Sequence, residues 1–296
     1  MQPTIGIALG SGAARGWAHI GVMRGLTEAG IVPDIVAGTS IGALVGGCDV
    51  AGRLDALEAF ARGLSRRRLL TLLDVTLAGA GLIKGERLTR MLEDNIGDML
   101  IEDLDRRFVA ISTELTTGHE VWMRTGRLAE AMRASYALPG IFPPLKVDGR
   151  LLIDGALVNP IPTSVARAFG ARLVIAVNLN PDAMGRSMLL AGDDQRVPSY
   201  IDETNGQVLT AFKRKIFGTR AFEPSIVNVM LGALNISLDR IARARLASDP
   251  PDVTITPKVG AIGLSDFDKA DEMVDLGREA AFAALPRIRE MLTLLA

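Results

Sequence analysis

Residues 34–44 read Asp34-Ile35-Val36-Ala37-Gly38-Thr39-Ser40-Ile41-Gly42-Ala43-Leu44. The stretch from Asp34 to Ala37, apolar after Asp34, predicts a short strand. It enters Gly38-Thr39-Ser40-Ile41-Gly42, and a helix is expected from Ile41. A serine on a sharp strand-to-helix turn is held in a strained backbone conformation with its hydroxyl exposed. The flanking glycines let neighbouring backbone pass without a clash. The helix start adds free N–H groups and the positive end of a dipole near developing negative charge. The same five residues also fit a plain glycine-rich turn with a helix-capping serine, so their meaning depends on the surroundings.

Working outward, Ile5 to Leu9 reads as a buried strand, followed by a Gly/Ala loop over Gly10 to Gly16 and a helix from Trp17 to Ala29 that Gly30 ends. Helical patterns follow around Arg53 to Leu64 and Glu86 to Ile96. Arg107 to Ser112 and Glu120 to Met123 look like strands around the turn Thr116-Thr117-Gly118. Leu128 to Tyr136 looks helical up to Pro139-Gly140, Leu151 to Ile153 is a strand ending at Asp154-Gly155, Pro162 to Phe169 is a helix, and Leu173 to Val177 a strand. Short apolar strands alternating with helices predict an α/β fold of three α/β/α layers around a mostly parallel central sheet. Composition shifts after Asn180, and 181–225 reads as a polar surface excursion. Helix is expected over Ser225 to Ala247, a last strand over Asp252 to Ile255, and helix again from Ser265. The expected organisation is a catalytic core over 4–180 with a C-terminal helical extension, 181–296, packed on the same domain.

Composition narrows the function classes. The chain has 296 residues, 48% apolar and 23% charged, which suits a folded protein with a large core. Lys+Arg total 33 and Asp+Glu 34, without the basic excess of a nucleic-acid binder. Cys48 is the single cysteine, so no intrachain disulfide can form, and its apolar setting predicts a buried, inert thiol. The N-terminus shows no signal-peptide pattern, and the longest apolar stretch, Leu69 to Ile83, is broken by Asp74. The cytoplasm is the expected location.

A serine hydroxyl is a weak nucleophile until a neighbour takes its proton. The chain holds two histidines, His19 and His119. His119 falls at a predicted hairpin tip, and His19 reads as a packing or hydrogen-bonding residue of the first helix. This scarcity turns attention to Asp154, which ends a strand and precedes the small pair Gly155-Ala156. A free Asp titrates near 3.9, too low for a good base, but burial raises that value. An ordinary Asp-Gly turn is the competing reading.

The loop Gly10-Ser11-Gly12-Ala13-Ala14-Arg15-Gly16 suits backbone N–H groups converging on an anion. A dinucleotide loop would need Gly or Ala where Arg15 stands, and a phosphate loop would need Gly-Lys-Ser/Thr. An oxyanion hole fits better. Arg15 can orient the loop, meet a phosphate, or form a surface salt bridge.

Three elements in this order, the Gly/Ala loop with Arg15-Gly16, Gly38-x-Ser40-x-Gly42 and Asp154-Gly155-Ala156, resemble the patatin-like phospholipase family, in its bacterial cytoplasmic branch. The likeness covers roughly residues 4 to 180 and includes Ala134-Ser135-Tyr136-Ala137-Leu138-Pro139-Gly140-Ile141-Phe142-Pro143-Pro144. It implies a Ser–Asp dyad on Ser40 and Asp154, and an oxyanion hole on Gly12 and Ala13 with Arg15 nearby. The motif glycines are Gly10, Gly16, Gly38, Gly42 and Gly155. Ser11 and Ala13 stand where the family loop usually has glycine. The resemblance implies hydrolysis of phospholipid, lysophospholipid or simpler acyl esters, with no metal or other cofactor. A non-catalytic lipid- or acyl-binding regulator is the rival of another class, and a thioesterase or acyltransferase the rival within enzymes. The stretch 209–222, with Lys213-Arg214-Lys215 among apolar positions, reads as a peripheral membrane contact, as a lid, or as a surface helix with its apolar side on the core.

Overall fold

The computed structural model describes residues 3–72, 74, 84–179 and 226–296. The expected excursion over 181–225 and the stretch 209–222 lie outside them. The apolar runs become strands because each is short and covered by helices on both sides. β1 (Ile5–Leu9), β2 (Ile35–Thr39) and β7 (Leu173–Val177) are buried almost throughout. With β3 (Arg107–Glu114) and β8 (Val253–Ile255) they form the parallel centre of the sheet, in the order β3-β2-β1-β7-β8. β4 (Glu120–Met123) pairs with one edge of β3, and β6 (Arg150–Asp154), which carries β5 (Leu145–Val147), pairs with its C-terminal end; these additions are antiparallel.

Alternation along the strands divides the core into two layers. Ile7, Leu9, Val36, Phe108, Ile175 and Val177 face α1 (Ala18–Glu28), α2 (Ile41–Val50), α6 (Leu128–Ser135) and α9 (Ala270–Leu295). Ile35, Ala37, Val109, Ile111 and Val174 face α7 (Thr163–Ala168), and Ala8 and Ala176 meet Ala242 of α8 (Ile226–Ser248). The remaining described helices are α3 (Leu54–Arg62), α4 (Arg66–Leu72) and α5 (Glu86–Ile96). None among the described residues is long and apolar enough to cross a membrane.

Three local departures from the sequence reading have physical causes. The first helix starts as a 3-10 turn over Ala13–Trp17 and becomes α-helical only at Ala18, because the loop enters it with Ala13 at φ 49°. β5 was not expected; it is a hairpin partner of β6 across Asp148-Gly149, both at positive φ, as a tight hairpin turn requires. The last helix begins at Ala270, not Ser265, because residues 263–269 close into short turns, with Asp266 N–H on Gly263 O, Phe267 N–H on Ser265 O and Lys269 N–H on Asp266 O, while Phe267 O accepts from the Trp17 indole.

Helices α1 and α9 pack nearly backbone to backbone. A Cβ at Gly277 would lie 2.0 Å from Ala18 O, and one at Gly21 1.8 Å from Val274 O. Helix propensity alone favours Ala over Gly by about 1 kcal/mol, whereas forced overpacking costs about 1–3 kcal/mol. Gly277→Ala should therefore lower the urea midpoint. A variant as stable as wild type would show that the helices can separate at no cost.

Candidate active site

β2 delivers Ser40 to the turn before α2 with φ 58° and ψ −124°, a conformation in which a non-glycine residue stores about 1–3 kcal/mol. The turn is this tight because both glycines permit it. A Cβ on Gly38 would lie 2.5 Å from Gly42 O, and one on Gly42 2.2 Å from Leu9 O. The Ser40 N–H donates to Ser135 Oγ at 2.9 Å, and that hydroxyl donates to Ile111 O at 2.5 Å. The end of α6 thus braces the turn at Ser40.

Asp154 reaches the same place from the opposite direction. Ile111 of β3 pairs with Thr39 of β2 on one side and Trp122 of β4 on the other; Ser112 pairs with Asp154 on one side and Val121 on the other. β2 and β6 therefore share one edge of β3 and run toward each other along it. Their C-terminal ends meet head to head, and Ser40 Oγ donates to Asp154 Oδ2 at 2.6 Å. Gly155 lets the chain turn away here, since a Cβ on it would lie 2.1 Å from Ile111 O.

Asp154 is 2% exposed. Burial pushes its carboxyl up to about 6, opposed by the hydrogen bonds from Ser40 and from the Ala156 N–H to Oδ1 at 2.8 Å. Its main chain is fixed too: Asp154 N–H donates to Ala137 O, and Asp154 O accepts from Thr113 Oγ1.

The glycine loop crosses beside this pair. Gly10 N–H donates to Val177 O and Ser11 N–H to Pro160 O. The N–H groups of Gly12 and Ala13 meet no acceptor among the described residues. Gly16 presses on α2, where a Cβ would lie 2.1 Å from the Ile41 side chain, and a Cβ on Gly10 would lie 2.8 Å from Val177 O. Arg15 is 4% exposed, so the surface salt-bridge reading is corrected. Its Nε donates to Ile262 O and a terminal nitrogen to Gly260 O. Burial lowers its pKa, an effect that Asp266 opposes.

Neither histidine bonds to Ser40. His119 is exposed on the β3–β4 turn. His19 is fully buried, and burial holds it near 4, so the ring is neutral. Nε2 lies 2.7 Å from Gly10 O, which can only accept, so the proton sits on Nε2 and the ring pins the start of the loop. Cys48 is buried, its thiol pushed up to about 12.

Among the described residues no group of three or more His, Cys, Asp or Glu side chains is placed to hold a metal ion. Ser135 has no role in the sequence reading; its signal there is a small hydroxyl on the buried face of a helix end, beside Ala131, Met132 and Ala134. Asn159, whose carbonyl accepts from Thr39 Oγ1 at 2.8 Å, also escaped notice.

Comparison with known proteins shows the family. An uncharacterized NTE family protein of Mycobacterium tuberculosis is 43% identical over 184 residues, covering 62% of this chain and 51% of that protein. A second from the same organism is 32% identical over 287 residues, covering 95% of this chain and 46% of its own length. The chain thus spans about half the length of these relatives. The crystal structure of VipD from Legionella pneumophila shares the fold, with a TM-score of 0.56 at 13% identity over 96% of this chain and 67% of that one. The family model for patatin-like phospholipase matches residues 7–167, a span that holds the glycine loop, Ser40 and Asp154, and the chain belongs to that family.

Proposed function

We propose that this chain is a serine acyl-ester hydrolase acting on phospholipid or lysophospholipid esters, with Ser40 as nucleophile and Asp154 as its base. One observation carries the reading: a strained, partly exposed serine donates at 2.6 Å to a buried carboxylate raised to about 6. Such a carboxylate is ionised at neutral pH yet basic enough to take a proton during attack. Family membership supports a lipid ester as substrate.

The chemistry balances without a cofactor. Ser40 Oγ forms a bond to the acyl carbon while its proton passes to Asp154. The carbonyl oxygen becomes an oxyanion, for which the N–H groups of Gly12 and Ala13 are the available donors, each worth about 2.7–4 kcal/mol. The C–O bond to the leaving alcohol breaks, and Asp154 returns the proton to that oxygen. Water then attacks the acyl-serine by the same route in reverse, giving free acid and Ser40.

A fluorophosphonate probe should add one covalent label, located on Ser40 by peptide mass spectrometry, and the wild type should release p-nitrophenol from short acyl esters and free acid from lysophospholipid vesicles. An unlabelled, inert wild type leaves a binding protein as the better reading. Transfer of the acyl group to an added alcohol in preference to water would make it a transferase.

A further inference from the structure

Four carbonyl groups of the C-terminal third end on the glycine loop and on Trp17, the residue that follows it. Arg15 donates from Nε to Ile262 O at 2.7 Å and from a terminal nitrogen to Gly260 O at 3.4 Å. Ala14 N–H donates to Leu264 O at 3.2 Å, and the Trp17 indole to Phe267 O at 3.3 Å, with the Trp17 and Phe267 rings edge to face. The donors fall within residues 14–17, immediately after Gly12 and Ala13. The segment 260–267 is itself tied down, Asp266 accepting from Gly263 N–H and pairing with Lys269. It lies beyond residues 7–167, the family-model span.

Residues 12 and 13 therefore hang between two anchors. On one side Gly10 and Ser11 bond to Val177 and Pro160; on the other, Ala14 and Arg15 bond to the C-terminal segment. Ala13 sits at φ 49°, which an L-residue holds only where its surroundings over-determine it. If the second anchor slackens, Ala13 can relax and both unpaired N–H groups swing. Stability alone does not account for Arg15: a buried guanidinium costs desolvation that a well-packed apolar side chain would avoid. Its rigid fork does what an apolar residue cannot, reaching two carbonyls of one strap at once.

We propose that the segment Gly260–Phe267, clasped by Arg15, is a positioning element for the oxyanion loop, fixing the directions of the Gly12 and Ala13 N–H groups and through them kcat. The proposal rests on the esterase reading of Ser40 and Asp154.

The test uses the full chain, with wild type, Arg15→Lys and Asp266→Asn assayed on p-nitrophenyl butyrate after circular dichroism. Losing one oxyanion donor outright costs about 10²–10³ in kcat. Misaiming donors through Arg15→Lys should lower kcat by about tenfold or more, with KM within about threefold and the pH midpoint unmoved, because Asp154 is untouched. Asp266→Asn, which loosens the strap and removes the charge that faces Arg15 while changing no loop residue, should lower kcat less and also spare KM; it decides the matter if Arg15→Lys does not fold. An unchanged kcat in the folded variants overturns the proposal, and so does a raised KM at constant kcat, which would put Arg15 on the substrate. An inert wild type overturns the esterase reading and this proposal with it, and is distinguished by failing before any variant is compared.

Discussion

Asp154→Asn should abolish ester hydrolysis and at the same time raise stability at neutral pH. Asparagine keeps the shape but cannot take the proton of Ser40, so kcat should fall by about 10⁴-fold, as when a base is lost from a catalytic unit. The stability gain follows from the raised pKa. The carboxyl titrates near 3.8 when unfolded and at about 6 in the fold, so the native state holds its proton more tightly. Above about pH 6 the buried charge costs the native state about 3 kcal/mol, at 1.36 kcal/mol per pKa unit. That cost fades as pH falls and is gone below 3.8. The variant should therefore melt several degrees above wild type at pH 8 and level with it near pH 4. Wild-type kcat should rise through a midpoint near 6 and then plateau. A variant that keeps activity, or whose thermal advantage does not shrink on acidification, would remove Asp154 from the role of base.

Ser40→Ala should lose at least about 10⁴-fold in kcat and take up no fluorophosphonate. Under the proposed function nucleophile and base act as a unit, so the double variant Ser40→Ala/Asp154→Asn should be no slower than either single one. Multiplying losses would mean that the two residues serve separate steps. Substrate binding should survive Ser40→Ala, because only the reacting hydroxyl is removed, and vesicle co-sedimentation can check this directly.

The nucleophile turn was legible because its requirements are local: a glycine either side of Ser40, between an apolar strand and a helix, is what tight backbone passage demands. The glycine loop was legible for the same reason. Asp154 emerged through the scarcity of histidine and the family resemblance, not through anything in Asp-Gly itself. The head-to-head approach of β2 and β6 was hidden, since the sharing of one β3 edge depends on register. The bracing of Ser40 by Ser135 links positions 95 residues apart. The strap over the loop was least legible of all, because Gly260, Ile262, Leu264 and Phe267 act through carbonyls that every residue type carries. The Asp148-Gly149 hairpin is readable from its turn pair alone.

The strap has a consequence in time. Arg15 and Ile262 are separated by 247 positions, and a ribosome adds about 5–20 residues per second. The glycine loop is thus made about ten to fifty seconds before the carbonyls that clasp it. Throughout that interval Ser40 and the strand bearing Asp154 come into existence beside a loop with one anchor missing. Under the proposed function, the growing chain carries its nucleophile long before the oxyanion donors are held in place, and full competence toward lipid arrives only after the segment Gly260–Phe267 has been made.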